Sequence, residues 1–120
     1  MAALLTAMET YPHANFLVVG CDYPFITTTE LKQLLEVKLE TILYACFSNK
    51  SGNILEPLLS HYHCDIKNYL HEKFKQNNYS VQAVLRECPG HIIIPENQIS
   101  ISSIDTIKAY ENAIKQLRNK

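Results

Sequence analysis

The apolar run FLVVG at residues 16–20 limits the possible folds of this chain most strongly. A continuous apolar stretch this short, closed by glycine, fits a strand covered on both faces, as in sheets that carry helices on either side. A helical pattern rich in Ala, Leu and Met precedes it over residues 2–11, ended by Pro12 and a polar HAN loop. A helix followed by a buried strand is the first α/β signal.

The pattern then repeats. After CDYPF, Thr27 and Glu30 have the spacing of a capping box and open a helix with Leu31, Leu34, Leu35 and Leu39 on one side. Residues 41–47 (TILYACF) are a second strand-like run, and the SNKSGN turn starts a return strand over residues 54–62, a hairpin that adds an antiparallel element. Residues 65–75 predict an amphipathic helix with Ile66, Tyr69, Leu70 and Phe74 inward, and Ser80 caps a shorter helix through Leu85. Pro89 and Gly90 end that stretch. Residues 91–94 form a third apolar run stopped by Pro95, and a last helix over 106–118 puts Ile107, Tyr110, Ala113, Ile114 and Leu117 on one face. The alternation predicts a mainly parallel sheet with helices on both sides, which binds ligands beyond the carboxyl ends of its strands. Yet the strands are few and none feeds the first helix, whereas a doubly wound sheet usually starts with one.

With 120 residues, 47% of them hydrophobic, the chain has material for a single core and reads as one domain over 1–120. Eleven basic residues against 12 acidic leave no strong net field, so partners are expected to be selected by a site; nucleic acid and anionic membrane are not expected. Cys21, Cys46, Cys64 and Cys88 are widely spaced and contain no CxxC pair, which predicts reduced, mostly buried thiols. The opening residues lack a basic n-region, and no stretch approaches the roughly 18 apolar residues of a membrane span, so the expected location is the cytoplasm.

Asp22 follows the buried strand by two residues and precedes Pro24, which stiffens the turn. A carboxylate there suits a hard divalent ion facing phosphate oxygens. The alternative is an aspartate that accepts hydrogen bonds from its own turn. Asp105, just before the last helix, reads first as a helix cap shared with Ser102 and Ser103, and otherwise as a second oxygen ligand or nucleotide contact. SHYHC looks like a metal cluster: His61 and His63 share a strand face beside Cys64, but no third and fourth ligand of recognisable spacing is evident, which favours half-buried strand histidines. Glu56, before Pro57, reads as a solvated turn carboxylate ahead of a general base or substrate acceptor. Cys21 reads as a small core residue, with no histidine in sequence context to activate it. The chain has neither GxxxxGK[ST] nor GxGxxG, and three glycines in all, Gly20, Gly52 and Gly90. No glycine-rich loop exists here to wrap a triphosphate.

The order MAALLTAMETYP, FLVVGCDYPFIT, GNILEPLLSHYH, YSVQAVLREC and SSIDTIKAYENAI resembles the later part of the molybdenum cofactor guanylyltransferases and related nucleotidyltransferases. CDYPF matches a CDMPF-like turn of that family, and LEPLLSHY matches a proline-containing strand segment common there. The resemblance implies a Rossmann-like, three-layer αβα fold and transfer of GMP from magnesium-bound GTP to molybdopterin with release of pyrophosphate. It makes Asp22 the magnesium ligand and catalytic residue. Ala3 would stand at a glycine that allows close nucleotide approach, and Ser103 and Asp105 would lie near the nucleotide, though Ile107 stands where a proline is usual after the threonine. The family's first strands and its LxGGxSxRMG loop, with a nearby lysine, have no counterpart in these 120 residues. On that resemblance the chain is expected to be an N-terminally truncated domain that binds GTP poorly. Two other outcomes remain open: a cytidylyltransferase acting on another phosphorylated acceptor, and an assembly module that pairs with itself or with a missing N-terminal segment through an exposed sheet edge.

Overall fold

The computed structural model describes residues 1–49, 51–95, 98–101 and 107–119. In chain order its elements are α1 (Ala2–Thr10), β1 (Phe16–Val19), α2 (Thr28–Glu36), β2 (Tyr44–Ser48) and β3 (Leu55–Tyr62), then a 3-10 turn (Cys64–Ile66) that runs into α3 (Lys67–Lys75). They continue with α4 (Val81–Glu87), β4 (His91–Ile93), a second 3-10 turn (Gln98–Ile101) and α5 (Ile107–Arg118). The strands form one sheet in the order β1-β3-β2-β4. β3 is antiparallel to both its neighbours and β2 is parallel to β4. The sheet is therefore mixed, where the helix-strand alternation predicts mainly parallel pairing. The connection from β2 to β3 is too short for the crossover that parallel strands need, and it closes as a hairpin. Its turn is held by the Asn49 carboxamide, which accepts from the Asn53 and Ile54 N–H groups at 2.9 and 3.0 Å, and by Gly52 at a φ of 76°.

Helices cover both faces, as the apolar strands require. On one face α1, α3 and α4 bury Leu5, Met8, Leu70, Val84 and Leu85 against Tyr44, Cys46 and Tyr62. On the other, Leu34 of α2 and Ile101 pack with Tyr23, Ala45, Phe47 and Leu59. Successive β2 residues alternate between the two clusters, which is why every residue of that strand is buried. Two helix faces differ from the periodicity. The inner side of α2 carries Glu30 and Leu34, while Leu35 is 53% exposed, because a helix on a sheet buries only a narrow stripe. In α3, Leu70 is inward but Tyr69 and Phe74 are exposed, and the Phe74 ring instead meets Tyr79 edge-on at 5.0 Å between centroids. Of α5, Ala113 is buried; the side chains of Ile107 and Tyr110 fall outside the described residues. Among the described residues no helix is long and apolar enough to cross a membrane.

Sheet and helices are joined at Tyr44, whose hydroxyl donates to the Leu85 carbonyl at 2.6 Å. Gly90 passes directly over that ring: a Cβ there would lie 2.2 Å from two of its carbons. Because the ring is buried and tethered it cannot retreat. Gly90→Ala is expected to lower stability by about 1–3 kcal/mol, read as a lower urea midpoint.

Burial pushes the Cys46 thiol from its ordinary 9.0 up to about 12, Cys88 up to about 11, and the Tyr44 phenol from 10.0 up to about 12, and raises Tyr62 in the same direction. Each group is thus held neutral in the folded chain more firmly than in the unfolded one. Their contribution is fully present below about pH 9 and is lost as pH rises through the interval from 9 to 12. Urea midpoints measured from pH 7 to 11 should therefore fall steadily above pH 9, and a Cys88→Ser variant should show a shallower fall.

Candidate functional site

The carboxyl ends of β1, β2 and β4 and the start of the oppositely running β3 share one end of the sheet. The residues there come from three segments: Gly20 to Tyr23 after β1, Glu56 on β3, and the first turn of α2.

The junction after β1 is tight. The Gly20 N–H donates to the Leu58 carbonyl at 2.7 Å, extending the β1–β3 pairing by one bond. A Cβ on Gly20 would stand 2.9 Å from the Tyr23 ring, 3.0 Å from Asp22 Oδ1 and 3.2 Å from Leu58 Cβ. Both side chains thus fold back over the glycine, and the chain can turn sharply only because it has none. Asp22 is half-buried just past the end of β1. Cys21, expected in the core, is exposed, since the chain leaves the sheet at Gly20 and its side chain falls on the turn.

Tyr23 is buried. Its hydroxyl donates to Glu56 Oε2 at 2.8 Å. Burial pushes its ionisation well above the ordinary phenol value, and the hydrogen bond to Glu56 and the nearby negative charges of Glu56 and Asp22 push it further. Tyr23 is therefore a fixed donor to Glu56, with the negative charge of Asp22 also acting on it. Glu56 is half-buried and oriented, not the freely solvated turn carboxylate that sequence favours.

An irregularity in β3 delivers it. Ser48 faces Leu55 and Cys46 faces Ser60, so five steps along β3 oppose two along β2. The surplus residues arch out of the sheet. Their carbonyls are nonetheless satisfied: Glu56 O accepts from the Ser60 hydroxyl at 2.6 Å, Pro57 O from the Tyr62 hydroxyl at 2.6 Å, and Leu58 O from Gly20. Pro57 has no N–H to strand.

At the start of α2, Thr27 is the N-cap as the spacing predicts, but its hydroxyl donates to the Glu30 carboxylate and accepts nothing from the helix. Glu30 is buried, and among the described residues its Oε1 has no hydrogen-bond partner.

Ala3 is exposed on the first turn of α1 and lines an apolar cavity of about 260 Å³ bounded by Leu4, Ala7, Val18 and Leu58. Ser103 and Asp105 lie outside the described residues. His61 and His63 do not converge on one ligand: His61 Nδ1 lies 3.1 Å from the Leu34 carbonyl of α2, whereas His63 Nδ1 accepts from the Asp65 N–H at 3.0 Å. Sequence reasoning missed Tyr23 as Glu56's partner, since the two are 33 residues apart. The signal was an apolar body with a polar tip directly beside the candidate carboxylate.

No protein-family model matches the chain. The molybdenum cofactor biosynthesis bifunctional protein of Synechocystis sp. is 23% identical over 126 aligned positions, covering 92% of this chain and 32% of that protein. The crystal structure of molybdopterin-guanine dinucleotide biosynthesis protein A from Archaeoglobus fulgidus superposes with a TM-score of 0.81 at 17% identity, over 99% of this chain and 63% of that one. The chain has the fold of that biosynthesis protein. The resemblance read from CDYPF and LEPLLSHY thus holds at the level of the fold, with helices on both faces of the sheet. A protein of Aquifex aeolicus gives a TM-score of 0.70 at 19% identity over 86% of this chain and 54% of its own. The chain spans about a third of the length of the curated relative it matches.

Tyr23→Phe removes the donor and leaves a half-buried carboxylate oxygen unpaired. The expected cost is about 1–2 kcal/mol of stability by urea titration, with Glu56→Gln partly retaining the pair.

Proposed function

We propose that the chain belongs to the machinery of molybdenum cofactor biosynthesis as a nucleotidyltransferase-type domain, with the ancestral reaction the transfer of GMP from magnesium-bound GTP to molybdopterin. One observation carries the reading: a half-buried carboxylate, Asp22, stands just past a strand end in a fold that superposes on a molybdopterin-guanine dinucleotide biosynthesis protein. The residues fit a magnesium ion in chemistry, since a strand-end carboxylate is a hard oxygen ligand that leaves the ion most of its waters. Asp22 would hold the ion, which when bound supplies neutralisation of phosphate charge. Tyr23 and Glu56 would brace the turn that positions Asp22, and Glu56 would offer an acceptor on the same end of the sheet. Ala3, Ser103 and Asp105 are the proposed nucleotide-side positions, and the site of action is the cytoplasm.

The test is pyrophosphate release with molybdopterin and each nucleoside triphosphate in magnesium. Release with GTP, lost in Asp22→Asn, is the expected pattern wherever turnover occurs; release with CTP alone would move the assignment to a cytidylyltransferase. The 120-residue chain by itself, with no glycine-rich loop among its residues, is expected to bind GTP weakly, and a micromolar affinity by calorimetry would contradict that expectation.

A second reading rests on β1. This edge strand is FLVV, with Leu17 37% and Val19 42% exposed and no charge or proline along it. Uncharged apolar edges invite a further strand, which favours an assembly role through pairing with a second copy or another polypeptide. Light scattering after size exclusion discriminates: a clean monomer at high concentration counts against self-pairing.

A further inference from the structure

The far end of the sheet carries a second group of chemically suited side chains. Where β3 ends, His63, Cys64 and Asp65 are consecutive, and among the described residues their ligand atoms lie within 4.8 Å of one another. Cys64 Sγ stands 3.8 Å from His63 Nδ1 and 3.8 Å from Asp65 Oδ1, and His63 Nδ1 stands 3.7 Å from Asp65 Oδ2. Separations of this size, the sulfur and the imidazole each measured to a different Asp65 oxygen, are those of donors that can approach one ion at zinc bond lengths of about 2.0–2.3 Å to nitrogen, sulfur and oxygen. We propose that His63, Cys64 and Asp65 form a binding site for a borderline-soft divalent ion of the zinc class, separate from the Asp22 end of the sheet.

The backbone holds these residues in place before any ion arrives. The His63 N–H donates to the Leu43 carbonyl at 2.9 Å, the Cys64 N–H to the Asn15 side chain at 3.1 Å, and the Ile66 N–H to the His63 carbonyl at 3.1 Å. Preorganisation of this kind spares the ordering entropy that three donors would otherwise lose on binding. The open side is wet, since the Asp65 side chain is 72% exposed and that of His63 25%, so water can complete the coordination. Binding through Nδ1 displaces the hydrogen bond from the Asp65 N–H, a cost that exposure to water keeps small. The donor set, one imidazole, one thiolate and one carboxylate, selects against magnesium, because a thiolate is a poor ligand for a hard ion. The two ends of the sheet thus differ in the metals they accept. An ion here would clamp the turn between β3 and α3, which the Asn15 side chain already holds through the Cys64 N–H.

Cobalt(II) titration of the full chain under reducing conditions tests the site, because only thiolate ligation gives an intense sulfur-to-cobalt charge-transfer band. The expected result is a band that saturates near one equivalent, is displaced by zinc and is insensitive to excess magnesium. Cys64→Ser should abolish it, Cys21→Ser should leave it unchanged, and Asp65→Asn should weaken cobalt binding by about tenfold or more. Asp65 is exposed, so its variant keeps the test valid even where a His63 substitution disturbs the turn. No charge-transfer band, a band that survives Cys64→Ser, or a band lost in Cys21→Ser would overturn the proposal.

Discussion

The arch in β3 is the constraint on which this architecture depends. A strand that inserts extra residues opposite its neighbour normally strands polar backbone groups, yet here each surplus carbonyl has a donor: Ser60 for Glu56, Tyr62 for Pro57, and Gly20 for Leu58. The first two donors lie on the same strand, a few residues on, so LEPLLSHY carries much of its own compensation. The third comes from the turn after β1, so the arch fixes that turn as well as itself. Glu56 is turned toward Tyr23, and Tyr23 in turn shapes the segment bearing Asp22. The site is less a set of loop residues than the consequence of one irregular strand.

Much of the fold was legible because the signals were local. FLVVG, TILYACF, the SNKSGN turn and the Ser80 cap each have a short-range cause, and each element formed within a few residues of its expected bounds. The Ser80 hydroxyl accepts from the Ala83 N–H at 3.2 Å, as a cap should. What failed was tertiary. The side of α2 that meets the sheet holds Glu30 in place of Leu35, and nothing in a 3.6-residue period says which edge of an apolar stripe the sheet will choose. Sheet order and direction were likewise set by connection length. A hairpin between β2 and β3 inverts one strand within an otherwise parallel set.

The candidate site was legible in the same uneven way. Asp22 could be placed at a strand end from sequence, because strand, glycine and turn are contiguous. Tyr23 and Glu56 could not be paired, because their contact spans the whole of α2 and β2. SHYHC shows the opposite error. Alternation along a strand grouped His61 with His63, but His61 faces α2 while His63 sits where the strand has already become a turn, beside Asp65. A residue counted as the start of the next helix was the missing neighbour.

The edges of the sheet complete the physical picture. β4 is three residues long, opens on an exposed histidine and is soon followed by Pro95, features that discourage a further strand. β1 has none of these protections: it is apolar on both faces, and the cavity lined by Ala3, Leu4 and Val18 lies beside it. Covering β1 with a strand would bury Leu17 and Val19 on one face and roof that cavity on the other. The same covering strand would lie next to the turn that carries Asp22, so a partner at this edge and a ligand at Asp22 would be felt by the same few residues. A strand paired at β1 and a ligand held at Asp22 would therefore be coupled through Gly20, where an added Cβ would meet the Asp22 carboxylate, the Tyr23 ring and Leu58 of the β3 arch.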